Sequence, residues 1–219
     1  MAEHERVLDR LHDDAVRLWR VVEALLFLAR ADAEARLPDL EPLDLVAWAA
    51  EHLRAWAGHE RAADLRFEVD GGGPLWTRAH RPLLGQLLDN LLENACKYSA
   101  PGHPIVVRAG REPGAVALAV EDHGCGIAAE DLSRVFEPFY RAESARRLGR
   151  AGVGLGLAVA HRIATALGGT IEAKSEPDRS SRFVLRLPDA AAPPPRPSGD
   201  DRDVPASVSP ATAASMGRE

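Results

Sequence analysis

Residues 87–99 read L-L-D-N-L-L-E-N-A-C-K-Y-S. Leu84, Leu87, Leu88, Leu91 and Leu92 recur at steps of three and four, which places them on one face of a helix over 83–98. Pro82 falls in its first turn, where a missing N–H costs nothing. Asn90, Asn94 and Lys97, at steps of four and three, share another face. A solvent face is usually rich in Lys and Glu. Two amides and a lysine converging instead suit a hydrated metal ion and phosphate oxygens: Mg²⁺ takes oxygen ligands while keeping waters, and an ammonium adds charge where phosphate charge collects. The plain alternative is a polar helix face with an asparagine near its end.

Three further segments follow in order. E-D-H-G-C-G-I (121–127) leaves a strand through Asp122 and enters a turn at Gly124 and Gly126. Glycines let backbone approach a flat ligand, and a carboxylate at a strand end can accept from an exocyclic amine such as that of adenine. An Asx-type turn is the plainer reading. F-E-P-F-Y-R (136–141) opens a segment, 140–152, poor in apolar residues and rich in Arg, which reads as a mobile loop. G-V-G-L-G-L (152–157) alternates Gly152, Gly154 and Gly156 ahead of a helix over 155–167, so free N–H groups and a positive helix end could cradle phosphate. The chain holds no G-x-x-x-x-G-K-[ST] element and not the full protein-kinase motif set, which argues against a P-loop ATPase and a Ser/Thr-kinase fold.

Around these segments the pattern predicts strands at 65–69, 75–78, 105–109, 116–120, 170–174 and 182–187, with turns at 71–74 and 112–114. Upstream, 43–59 reads as a helix ended near Gly58, after a break at Pro38 and Pro42. Residues 1–32 lack Pro and Gly and repeat Leu8, Leu11, Ala15, Leu18, Val22, Leu25 and Ala29 in a heptad seam. Trp19, Val21, Leu26 and Phe27 widen that stripe toward a bundle or dimer. Residues 188–219, dominated by Ala, Pro, Ser, Asp and Gly, read as disordered.

The chain has 219 residues, net charge −6 and two cysteines. That length can bury one substantial core. The acidic balance gives no general attraction to nucleic acid or anionic membrane, so a bound polyanion needs local contacts. Two cysteines are too few for a disulfide framework and suggest a reducing compartment. With no signal-like N-terminus and no apolar run long enough to span a bilayer, the chain reads as cytoplasmic. Cys96 and Cys125 both fall within the motifs above, which raises thiol oxidation as a means of weakening ligand binding.

Taken together, the four segments resemble the N, G1, F and G2 boxes of bacterial sensor histidine kinases, within the ATPase superfamily that includes gyrase, a heat-shock chaperone and mismatch-repair ATPases. The resemblance covers roughly 1–187. It implies an α+β fold, a two-layer α/β sandwich of the Bergerat ATP-binding type, preceded by a long coiled-coil-like helix. The implied domains are 1–37, the second helix of a dimerisation and phosphotransfer hairpin; 38–187, the catalytic and ATP-binding domain; and the tail 188–219. By the same resemblance Asn94 is the Mg²⁺ ligand, Asn90 and Lys97 complete the catalytic set, and Tyr98 neighbours the nucleotide. Asp122 reads adenine. Gly124, Gly126, Ile127, Gly152, Val153, Gly154 and Gly156 shape the pocket, with Leu155 and Leu157 at the lid's end. Tyr140 and Arg141 belong to the F box, Arg141 near phosphate. Ser180-Ser181-Arg182-Phe183 departs from a usual Gly-x-Thr-Phe and could alter the pocket floor, and Ala79-His80 stands where Gly-Asp is common.

The resemblance also implies ATP and Mg²⁺ as cofactors, a response-regulator receiver domain as partner, and a homodimer through the N-terminal helix. Any membrane anchor would belong to a region before this sequence. The family's phosphoacceptor histidine lies on the first hairpin helix, in a segment H-E-x-R-[ST]-P. His4-Glu5-Arg6-Val7 echoes that segment without its Ser/Thr-Pro, so the acceptor is expected elsewhere. Two alternatives stay open: a same-superfamily kinase acting on serine of an anti-sigma-type partner, and an ATP-gated interaction module without kinase activity.

Overall fold

The computed structural model describes residues 39–150 and 152–192. The helix expected over 1–32 and the hairpin domain 1–37 lie outside them, as does the expected tail from 193 onward. The described elements are β1 (Glu41–Asp44), α1 (Leu45–Ala55), β2 (Leu65–Val69), β3 (Trp76–Ala79), α2 (Arg81–Tyr98), β4 (Ile105–Glu112), β5 (Ala115–Asp122), α3 (Ala129–Leu132), α4 (Glu143–Arg147), α5 (Gly156–Ala166), β6 (Thr170–Glu176) and β7 (Ser180–Pro188).

Five strands form one mixed sheet in the order β2-β4-β5-β7-β6; β2 runs parallel to β4 and the remaining pairs are antiparallel. Strand alternation divides its two faces. Ile105, Val107, Val116, Leu118, Val120, Phe183, Leu185 and Leu187 are buried in one core with Leu84, Leu87, Leu88, Leu91 and Leu92 of α2 and with Val159 and Ile163 of α5. Each fully buried leucine contributes about 1.5–3 kcal/mol, so the stripe alone fixes which side of α2 meets the sheet. The other sheet face carries a small apolar patch of Ala117, Ala119 and Val184 among ion pairs: Arg108 pairs with Glu68 at 2.6 Å, and Arg186 bridges Glu112 at 2.6 Å and Glu172 at 2.7 Å. The result is the two-layer α/β sandwich expected. Among the described residues no helix is long and apolar enough to cross a membrane.

Three local expectations are corrected. The helix expected from residue 43 begins at Leu45, because Leu43 and Asp44 pair with Thr77 and Trp76 of β3 in a small second sheet. Asp44 Oδ1 accepts from Val46 N and from Leu75 N, both at 3.1 Å, so one carboxylate caps α1 and secures the neighbouring strand. At its other end α1 stops at Ala55 and tightens into a 3₁₀ turn over Trp56–Gly58. The segment expected to be only a loop contains α4, whose Arg147 pairs with Glu143 at 2.6 Å one turn away.

Candidate functional site

α2 presents Asn90, Asn94, Lys97 and Tyr98 to a cavity of about 1300 Å³. The facing wall is the glycine-rich segment Gly152, Val153, Gly154, Leu155, Gly156 and Leu157, and the ends are closed by Gly126, Ile127, Tyr140 and Arg141. Every sequence-derived candidate lines this cavity except Asp122 and Gly124. Those two lie behind its wall: Asp122 is on the inward face of β5, and its cross-strand partner Ser181 lines the cavity in its place. Gly124 forms a bridge to Ser99, joining the end of α2 to the turn that leaves β5.

The side chains differ in what remains free. Asn90 donates its amide N–H to Gln86 O at 2.9 Å, one turn back, which leaves its Oδ1 directed toward Gly156 at the start of α5. Asn94 is half-buried and has no hydrogen-bond partner among the described residues. Lys97 lies with its ammonium 4.8 Å from the centre of the Tyr98 ring and close against Gly152. Arg141 Nη2 donates to Arg150 O at 2.7 Å and to Ala145 O at 3.2 Å, while its Nε is buried without a partner.

Asp122 is 1% exposed and its Oδ1 has no hydrogen-bond partner. Burial pushes this carboxyl up to about 7, a shift only partly countered by the Gly124 main-chain N–H. A buried acceptor left unpaired costs on the order of 1–3 kcal/mol, so a ligand bringing an N–H donor to it would recover that energy. Among the described residues no cluster of three or more His, Cys, Asp or Glu could hold a metal ion. The oxygen donors that α2 presents at the cavity are the amides of Asn90 and Asn94 and the carboxylates of Asp89 and Glu93.

Gly154 shows why the segment is glycine-rich. Its φ is +79°, and a Cβ there would lie 2.6 Å from Tyr140 O. Phe139 N donates to Gly154 O at 2.9 Å, so the F-box residues and the glycine segment meet main chain to main chain.

Sequence reasoning missed several contributors: Ala142, Ser144 and Ala145, and also His52, Arg81, Gln86 and Asp89, line the cavity, and Cys125 of the first glycine motif lines it with them. Gln86 had a signal, since it precedes Asn90 by four positions, one turn back on the same face of α2. Arg61 had none. It is 5% exposed and donates to Cys96 O (2.8 Å), Ser99 O (3.2 Å), Ser99 Oγ (3.1 Å) and Ala100 O (3.0 Å), with Asp64 against its Nε at 2.5 Å. It thereby caps the end of α2 that carries Asn94, Lys97 and Tyr98. For Cys96 and Cys125, burial pushes both thiols up, which disfavours the thiolate that oxidation requires.

Residues 79–191 match the family described as histidine kinase-, DNA gyrase B- and HSP90-like ATPases. The chain belongs to this family. The match takes in α2, both glycine segments and the lid between them, so the cavity is that of a histidine kinase-, gyrase- and HSP90-like ATPase domain. Among curated relatives, the sensor-like histidine kinase SenX3 of Mycobacterium tuberculosis is 34% identical over 183 residues, 84% of this chain and 45% of the relative. The chain spans about half the length of the curated relatives it matches. Among solved structures, full-length ShkA in complex with AMPPNP superposes with a TM-score of 0.73 at 26% identity, over 88% of this chain and 40% of that one. The histidine kinase AdeS of Acinetobacter baumannii gives 0.64 at 29% identity, over 84% of each chain.

Proposed function

We propose that this ATPase domain is the catalytic part of a two-component sensor histidine kinase, binding Mg-ATP and passing its γ-phosphoryl group to a histidine for relay to an aspartate of a response-regulator receiver domain. The observation that carries the reading is the order along one cavity: a buried acceptor lacking a donor behind one end, then the free amide of Asn94 and the charge of Lys97, then the glycine segment at the start of α5. The similarity to SenX3 and AdeS, both named as histidine kinases, favours phosphohistidine chemistry over the other activities of the superfamily. Dimerisation through residues 1–37 and a cytoplasmic location belong to the same proposal.

The residues divide the work. Asp122, with Ser181 beside it at the cavity wall, would take the exocyclic amine of adenine. Asn94 offers an amide oxygen to Mg²⁺, and Lys97 sets an ammonium among the phosphates. The glycine-segment N–H groups and the positive end of α5, an 11-residue helix, orient the phosphate chain. Bound Mg-ATP would supply the transferable phosphoryl group. A neutral imidazole nitrogen is already nucleophilic, so positioning and charge neutralisation are the protein's main tasks.

Calorimetry with Mg-ATP tests the reading. Asn94→Ala is expected to weaken binding by about tenfold or more in Mg²⁺, with a much smaller change when the cation is chelated. In the same samples, γ-phosphate should pass to a supplied hairpin bearing the acceptor histidine. Wild-type protein that binds no Mg-ATP sinks the proposal.

The pH dependence has a definite sign. Asp122 stands at about 7 in the fold against 3.8 for a free carboxyl, so the ligand-free fold favours its protonated form and loses stability as pH rises between those values. The ionised form is the stronger acceptor for an amine donor. Affinity for adenosine, which carries no phosphate to titrate, should therefore fall as pH drops below about 7, by up to about tenfold per unit. Asp122→Asn should flatten that slope; an equal slope in wild type and variant assigns the titration to another group.

A further inference from the structure

Asp131 has no part in the reading above, yet both of its carboxylate oxygens accept hydrogen bonds. It follows the glycine turn in α3 and is 9% exposed. It does not line the cavity. Both of its oxygens reach across to the lid. Oδ1 accepts from the Tyr140 hydroxyl, and Oδ2 accepts from Glu143 N at 3.3 Å, in the first turn of α4. The Tyr140 ring is held from its other side by the Arg134 guanidinium, 4.2 Å from the ring centre.

What hangs on these bonds is the closed end of the cavity. Ala142 lies between the two tethered positions and Ser144 and Ala145 just beyond them, and all three line it. Ser144 Oγ donates to Gly126 O at 3.2 Å, so the same wall touches the turn that follows Asp122. Phe139 N, next to Tyr140, donates to Gly154 O at 2.9 Å. The lid is thus tied at one edge to the glycine segment and at the other to Asp131 and to the Gly126 carbonyl.

We propose that Asp131 is a positioning residue for the nucleotide: by holding Tyr140 and the first turn of α4, it sets the wall against which the ligand's flat end packs. The inference rests on the nucleotide reading of this cavity. A carboxylate serving only local stability could be lost without a change in ligand affinity. Here one buried group holds both Tyr140, which lines the cavity, and Glu143, which lies between the cavity-lining Ala142 and Ser144. Removing the carboxylate frees α4 and the Tyr140 side chain together, so the ligand must order them on binding and its affinity falls.

The full chain tests this with Mg-ATP calorimetry, thermal unfolding and hydrogen exchange of the amides in 140–150. Asp131→Ala is expected to weaken Mg-ATP binding by about tenfold and to speed exchange in that segment, with exchange in α2 and the sheet unchanged. Asp131→Asn keeps the size of the side chain and an acceptor for Tyr140, so it should fall between Asp131→Ala and wild type. It also serves if the alanine variant fails to fold. Tyr140→Phe should weaken binding less than Asp131→Ala, and the double variant should be no weaker than Asp131→Ala alone, because both remove one coupled unit. Binding within about twofold of wild type in Asp131→Ala overturns the proposal, as do effects of Asp131 and Tyr140 that simply multiply. Wild-type protein that binds no Mg-ATP removes the nucleotide reading and this proposal together; wild-type binding that Asp131→Ala leaves intact removes this proposal alone.

Discussion

Replacing Arg61 by alanine is expected to destabilise the domain by about 3–5 kcal/mol, lowering its melting temperature by roughly 10 °C. The guanidinium serves four acceptors at the end of α2 within 3.2 Å, and three of them are main-chain carbonyls at or just past the last turn. Carbonyls at a helix end have no partner within the helix, and those beneath a side chain 5% exposed have little water to turn to. Removing the donor therefore leaves several buried acceptors unpaired at once. Asp64, now facing no cation, adds to the loss; in the intact fold its hydrogen bond from Arg61 holds its carboxyl below the usual range. Arg61→Lys should recover little, since an ammonium cannot span acceptors arranged around a planar fork. The effect should reach the ligand as well, because Asn94, Lys97 and Tyr98 lie within the last five residues of α2. Denaturant unfolding of the three proteins checks this, and an unchanged midpoint for Arg61→Ala would show that solvent replaces the guanidinium.

Gly126→Ala should weaken nucleotide binding by about a hundredfold, equivalent to ~2.7 kcal/mol. Two costs coincide at this position. Its φ is +61°, in the left-handed region where a Cβ is strained. A Cβ there would also meet main chain: it falls on Glu176 O and lies 2.8 Å from Glu176 C and from Pro177 Cα. Those atoms belong to the end of β6 and the hairpin beyond it, which Asp178 N secures to Cys125 O at 2.9 Å. Neither side can yield cheaply. The turn would have to move away, taking with it Ile127, whose N–H donates to Ser175 Oγ at 2.8 Å and whose side chain lines the cavity. Gly71→Ala separates the two costs, since Gly71 has φ +84° but open space where its Cβ would go. That variant should lose only about 1 kcal/mol of stability and no affinity. Calorimetry on both decides the matter; equal affinities for Gly126→Ala and wild type would mean that the turn relaxes freely.

Much of the site was legible before any fold was known, and the reasons are local. A helix carries its own geometry, so steps of four and three placed Asn90, Asn94 and Lys97 in one row without any knowledge of what they face. The glycine segments were legible for a similar reason, since glycine marks places where backbone must come close or turn the unusual way. Asp122 was found at a strand end but not at its depth. Its burial is a property of the sheet, because β4 and β7 flank β5 and α2 covers it, and only that enclosure moves its carboxyl to about 7.

The parts that escaped notice depend on residues distant in the chain. Leu43 looked helical because it leads an apolar run, whereas its partner Thr77 lies beyond two further elements. Nothing local marks Arg61, whose acceptors at the end of α2 lie 35 to 39 positions later. Asp131 carries no local signal either, and its meaning comes from Tyr140 and Glu143 folding back over it.

The sequence by itself determined the family, the two-layer fold and the polar row of α2, because period, glycine placement and side-chain chemistry act over a few residues and need no partner to be read. The tertiary structure alone decided which groups are buried, which acceptors go unpaired and which side chains hold the site in place. Those are properties of surfaces brought together by the chain's return, and burial is what turns an ordinary arginine or aspartate into a cap, a latch or a recognition group.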